Sequence, residues 1–115
     1  MNRDPDCLFC KIAGHEIDAK YVRESDGVVA FEDINPVAPT HILLIPKDHV
    51  GSAAELSRTH GEVLGEIFET SAAIAAERGL DSYRIVTNIG PGAGQSVFHL
   101  HFHLLGGRRM AWPPG

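Results

Sequence analysis

Val97-Phe98-His99-Leu100-His101-Phe102-His103-Leu104-Leu105 alternates imidazoles with large apolar side chains. Successive side chains of a β-strand point to opposite faces, so the spacing predicts a strand over Val97 to Leu105. His99, His101 and His103 would share one face, and Leu100, Phe102 and Leu104 the other. An exposed histidine face or a tag-like metal binder would have the same period. Tags, however, are contiguous and terminal, whereas these histidines are interleaved with core-forming residues and follow the glycine-rich run Gly90-Pro91-Gly92-Ala93-Gly94.

Three imidazoles in register suit phosphoryl chemistry: one attacks phosphorus while its neighbours donate hydrogen bonds to non-bridging oxygens and help the leaving group accept a proton. Histidine is largely neutral near pH 7 and therefore nucleophilic. His101, flanked on both sides, is the expected nucleophile, with its second ring nitrogen held by an acceptor such as a backbone carbonyl of the same strand. Gly92, Gly94, Gln95 and Ser96 permit close approach of backbone to an anion, and Ser96 can donate its hydroxyl to phosphate.

Working outward, Leu8, Phe9 and Ile12 have helical spacing within Asp6 to Ala13, ended by Gly14. Tyr21 to Arg23 and Val28 to Phe31 flank Ser25-Asp26-Gly27, a hairpin signature. Asn35 to Pro39 is a loop, and His41-Ile42-Leu43-Leu44-Ile45, between Pro39 and Pro46, is a buried strand. Apolar and small residues recur at helical intervals from Ser57 to Arg78, with Gly79 as the C-terminal stop. Tyr83 to Asn88 is a further strand. The order of elements predicts an α+β fold with a mostly antiparallel sheet, one long helix and one short one.

The chain has 115 residues, the size of a single domain spanning 1–115, with 43% hydrophobic and 22% charged residues. That composition supports a packed core and does not fit a disordered chain. A net charge of -5 argues against nucleic-acid binding, which needs clustered Lys and Arg. No apolar run suits a membrane span or a signal peptide, so the expectation is a soluble cytoplasmic protein. Cys7 and Cys10 form a C-x-x-C pair, which in a reducing compartment suits a metal or redox role better than a structural disulfide. A pair of small, helix-packing thiols is the plain alternative.

The segment Gly94-Gln95-Ser96-Val97-Phe98-His99-Leu100-His101-Phe102-His103-Leu104-Leu105 resembles the histidine-triad (HIT) signature, His-φ-His-φ-His-φ-φ, where φ is apolar. The resemblance extends through Phe9-Cys10-Lys11-Ile12, Phe31-Glu32-Asp33-Ile34-Asn35-Pro36, Ala38-Pro39-Thr40-His41 and Ile45-Pro46-Lys47-Asp48-His49. Gly106-Gly107-Arg108-Arg109-Met110 and Trp112-Pro113-Pro114-Gly115 are similar to the Hint-like branch, purine nucleoside phosphoramidate hydrolases.

The resemblance implies a HIT-like fold with a five-stranded sheet extended across a homodimer. It makes His101 the nucleophile, His103 a phosphate and leaving-group contact, His99 the remaining triad member and His41 a histidine lying against the triad. Asn88 and Ser96 match phosphate-side contacts, Gly94, Gln95 and Val97 belong to the nucleotide-binding set, and Asp33 accepts from the ribose hydroxyls. Leu8, Phe9, Ile12, Phe31, Ile34 and Leu43 match the apolar base pocket, and Trp112 reaches towards the partner's site. For each apolar position, plain core packing is the alternative.

The implied reaction is cleavage of an AMP-amine or acyl-AMP compound through a nucleotidyl-histidine, with no catalytic metal. Some bacterial family members place a structural zinc on two cysteines and two histidines. The matching set here is Cys7, Cys10, His49 and His99, which would withdraw His99 from catalysis. Many Hint-branch chains lack these cysteines. A dinucleotide polyphosphate hydrolase shares the triad, and a nucleotide-binding scaffold with little turnover needs the same pocket. Related transferases replace the third histidine by glutamine, against His103 here. His15 and His60 lie outside every motif.

Overall fold

A computed structural model describes residues 2–115. Five strands form one antiparallel sheet in the order β1-β2-β3-β5-β4: β1 Tyr21–Glu24, β2 Val28–Glu32, β3 Thr40–Pro46, β4 Tyr83–Val86 and β5 Phe102–Gly106. Two α-helices, α1 (Leu8–Ala13) and α2 (Gly61–Glu77), cover opposite faces of this sheet. The expected α+β class, five-stranded sheet and helix pair are therefore observed.

Period-two alternation sorts the central strands between two cores. Ile42 and Leu44 of β3 pack with Phe102 and Leu104 of β5 and with Ile67 and Ile74 of α2. Leu43 and Ile45 face the other way, onto Phe9 and Ile12 of α1. Because both faces are covered, every residue of β3 is buried, as its unbroken apolar run requires. Fully burying side chains such as Ile67 and Ile74 contributes about 2 kcal/mol each.

The helix ends follow local chemistry. The Cys7 sulfur accepts from the Cys10 amide at 3.4 Å at the head of α1, and Gly14 closes that helix. The predicted long helix begins as a 3-10 turn, Arg58–His60, in which the Ser57 amide donates to His60 Nδ1, and becomes α-helical only from Gly61. At its other end Gly79 takes φ +67°, a left-handed conformation that releases the chain while the Leu80 amide bonds the Ala75 carbonyl.

The histidine segment departs from expectation: the ladder begins at Phe102, not Val97. The backbone of the preceding residues is committed elsewhere. The Leu100 amide donates to the Val50 carbonyl at 2.6 Å, the His99 carbonyl takes the His101 ring, and the His101 carbonyl takes the Thr87 hydroxyl. Thr87 spends its hydroxyl on this bond just beyond β4, which stops at Val86, short of the expected Asn88. No helix among the described residues is long and apolar enough to cross a membrane.

Candidate functional site

β5 carries His103 on the α1 face of the sheet, beside Leu43 of β3 and Val86 of β4. His101 lies just before the strand, its ring centroid 5.1 Å from that of His103 and 5.1 Å from that of Phe9. Together they border a cleft of about 420 Å³, and Leu8, Phe9, Ile12, Phe31, Asp33, Ile34, Leu43, Ser96 and Val97 also line it. All six apolar residues assigned to a base pocket thus share one cavity with two of the histidines. Ile17 and Ala19 line it as well. They sit on the loop after α1, in no motif, just beyond the turn at His15, whose φ is 60°.

Hydrogen bonds fix the protons of each ring. His101 Nδ1 lies 2.7 Å from the His99 carbonyl, which can only accept, so Nδ1 carries the hydrogen and Nε2 is bare. Nε2 has no hydrogen-bond partner among the described residues, yet no buried side-chain nitrogen or oxygen among them is unpaired, so Nε2 opens onto the cleft. A second chain of bonds starts at the Val37 amide, which donates to His41 Nδ1 at 3.1 Å. The His41 hydrogen must then sit on Nε2, from which it donates to His103 Nδ1 at 2.9 Å. His103 is left with its hydrogen on Nε2, also facing the cleft. A bare nitrogen and an N–H donor therefore stand side by side, as attack on a phosphoryl group requires.

Burial favours the neutral form of His103 and His41. It is the main cause lowering His103 from the ordinary imidazole value to about 4, aided by His101 and His41 and opposed by Asp33. Burial also lowers His41, again against the pull of Asp33, whose Oδ2 lies 3.3 Å from His41 Nε2. The other carboxylate oxygen, Oδ1, accepts from the Asn35 amide at 2.8 Å.

His99 belongs to a different constellation. It is fully buried, its Nε2 donates to the Pro46 carbonyl at 2.8 Å, and its bare Nδ1 faces Cys7 Sγ at 3.4 Å, Cys10 Sγ at 3.5 Å and His49 Nδ1 at 3.2 Å. Both ring nitrogens thus have partners away from the cleft, and His99 is not among the residues lining it. Cys10 Sγ lies 3.4 Å from His49 Nδ1. Tetrahedral zinc, with bonds of about 2.3 Å to sulfur and about 2.0 Å to nitrogen, separates S from N by about 3.5 Å and N from N by about 3.3 Å. The four donors stand close to that spacing, and all their ligand atoms lie within 4.8 Å of one another. Burial pushes the Cys10 thiol above its ordinary value, a penalty that a bound cation would reverse. The cluster fits a structural metal and, with four protein ligands, leaves no open position for chemistry.

The glycine-rich loop is braced from within. Gln95 is 4% exposed and spends its side chain on the Gly90 amide and the Gly51 and Val97 carbonyls. Gly94 takes φ +100°, and a Cβ there would stand 3.6 Å from Asn88 Nδ2, which places Asn88 against the loop and outside the cleft lining. Trp112 is 82% exposed on a tail tied down by the Arg84 side chain, which donates to the Ala111 carbonyl. It does not touch this chain's own cleft.

Comparison with known proteins agrees with the geometry. The HIT domain family matches residues 14–110. A "14 kDa zinc-binding protein" of Zea mays is 49% identical over 115 residues, covering 97% of this chain and 90% of the relative. "Adenylylsulfatase HINT1" of Arabidopsis thaliana is 45% identical, covering 97% and 78%. Among solved structures, a HIT family hydrolase from Legionella pneumophila superposes with a TM-score of 0.93 at 47% identity, covering 96% of this chain and all of that one. The chain belongs to the HIT domain family.

Proposed function

We propose that this protein hydrolyses compounds in which AMP is joined to a leaving group through its phosphorus, with His101 as the nucleophile. The observation that carries this reading is the 2.7 Å bond from His101 Nδ1 to the His99 carbonyl, which leaves Nε2 bare at the mouth of an apolar cleft. The purine lies among Leu8, Phe9, Ile12, Phe31 and Leu43, with the ribose hydroxyls at Asp33. His101 Nε2 forms a bond to phosphorus, and the bond to the leaving group breaks with its electron pair going to the departing atom. His103 Nε2–H and the Ser96 hydroxyl donate to the phosphoryl oxygens and to that atom. Water then attacks the nucleotidyl-histidine, releasing AMP and restoring the free ring.

An amine is the leaving group that the family resemblance favours, so a purine nucleoside phosphoramidate is the leading substrate. The Arabidopsis relative's name adds sulfate as a second leaving group on the same AMP. Adenosine 5′-phosphoramidate and adenosine 5′-phosphosulfate, incubated separately with wild type and His101→Ala, decide the matter. AMP release from either by wild type alone supports the reading. Binding of AMP without turnover of either leaves a nucleotide-binding protein, and equal rates in both proteins remove His101 from the chemistry.

Cys7, Cys10, His49 and His99 would hold a structural zinc that ties α1 to the sheet. A homodimer formed through α2 and β4 would explain Phe68 and Tyr83, large apolar side chains exposed on those elements. Sedimentation at micromolar concentration tests that arrangement, with a monomer counting against it.

A further inference from the structure

His41 has one hydrogen, which it donates to His103, and a carboxylate oxygen of Asp33 stands beside the same nitrogen in an ion-pair contact outside hydrogen-bond geometry. His41 Nδ1 is occupied by the Val37 amide, so the hydrogen sits on Nε2, 2.9 Å from His103 Nδ1 and 3.3 Å from Asp33 Oδ2. Among the described residues Asp33 is the one carboxylate in ion-pair contact with either ring. It also lines the cleft, where the proposed function places the ribose hydroxyls.

We propose that Asp33 is a positioning residue that couples ribose recognition to chemistry: its carboxylate competes with His103 for the His41 hydrogen, and ribose hydroxyls, by occupying that carboxylate, commit the hydrogen to His103. This inference rests on the proposed function for the identity of the ligand. The bond network supplies the rest.

When His41 donates to His103 Nδ1, the His103 hydrogen is confined to Nε2 and points into the cleft as a donor. When Asp33 draws the His41 hydrogen aside, His103 Nδ1 loses its donor and the Nε2–H tautomer is no longer enforced. Ribose hydroxyls donating to Asp33 disperse its charge and end the competition. The electrostatics act in the same direction, since Asp33 is what raises the proton affinity of both rings against burial. Quenching that pull makes His103 a readier donor to the departing atom. A sugar contact thereby becomes an interaction expressed in the transition state and not only in binding.

A cation held by Asp33, His41 and His103 is the competing use of this cluster, whose ligand atoms lie within 4.8 Å of one another. The Val37 amide argues against it. A metal on His41 Nε2 together with an N–H donor on Nδ1 would leave that ring without a proton.

The test compares adenosine 5′-phosphoramidate with its 2′,3′-dideoxy analogue in wild type and Asp33→Asn, which keeps an acceptor for the Asn35 amide. In wild type the dideoxy compound should lose kcat by at least about fivefold, the lower end of ordinary coupling between sites. In Asp33→Asn, kcat should become indifferent to the hydroxyls. A wild-type loss confined to KM overturns the proposal, because that is what a simple ribose anchor gives.

A second readout needs no turnover. In protein labelled with 15N-histidine, with His103 assigned by comparison with His103→Gln, AMP should shift His103 further towards the Nε2–H tautomer than 2′,3′-dideoxy-AMP does. Identical His103 nitrogen shifts with the two ligands overturn the coupling. If wild type binds AMP but cleaves neither substrate, the hydrolase reading fails while the tautomer comparison still decides this one. Absence of AMP binding overturns both.

Discussion

The main-chain oxygen of His99 accepts from Nδ1 of His101 at 2.7 Å while the His99 side chain closes the Cys7, Cys10 and His49 cluster. One residue thus joins the cleft histidine to the sulfur cluster, its backbone serving one and its ring the other. Removing the metal proposed for that cluster should loosen both. Protein purified without a histidine tag should contain about one zinc per chain, and Cys10→Ser should lower Tm by at least about 5 °C. Calorimetry with elemental analysis checks this. Full stability without zinc would reduce the cysteines to packing thiols.

Acid should act through the histidines behind the cleft. His103 is lowered to about 4 and His41 is lowered as well, so between about 4 and the ordinary 6.5 the unfolded chain binds more protons at these rings than the native one. Their contribution to stability is complete above about 6.5 and is lost as pH falls towards about 4. Urea unfolding across that window should show stability rising with pH, by less in His103→Gln than in wild type.

Gln95 should matter to the fold more than to ligand contact. Gln95→Ala leaves the Gly90 amide and the Gly51 and Val97 carbonyls without their partner, a loss of about 1–3 kcal/mol. Denaturant titration should detect it, while the Kd for AMP should change far less than in a variant of the cleft lining such as Phe31→Ala. A Gln95→Ala protein of wild-type stability would show that the brace is idle.

Gly94 tests the loop by another route. At φ +100° a side chain is strained whatever the space, so Gly94→Ala should cost about 1–2 kcal/mol and displace Ser96 from the cleft. Activity should fall together with stability. An alanine tolerated without loss in either would contradict the observed turn.

Much of this was legible from side-chain pattern alone. Alternation put His101 and His103 on a common face, the apolar run from Ile42 to Ile45 read as a well-buried strand, and C-x-x-C pointed to a metal or redox role. Backbone commitments were not legible. Nothing in the residue types shows that Leu100 would bond Val50, so the strand was read five residues too early and His99 was grouped with rings whose nitrogens face elsewhere. Nor does sequence reveal that the Gln95 side-chain amide is engaged three times within its own loop and with Gly51. A backbone carbonyl for the second nitrogen of His101 is expected from the sequence and found at His99, whereas the His41 tautomer depends on the Val37 amide, a main-chain group that every sequence contains and none advertises.

The most direct measurement is to quench wild-type protein in mid-turnover with adenosine 5′-phosphoramidate and map the adenylyl group by peptide mass spectrometry. The bare Nε2 of His101 predicts a single acid-labile adduct on His101, absent from His101→Ala, whose turnover falls by about 10⁴-fold or more. An adduct on another residue, or undiminished turnover in His101→Ala, would contradict it.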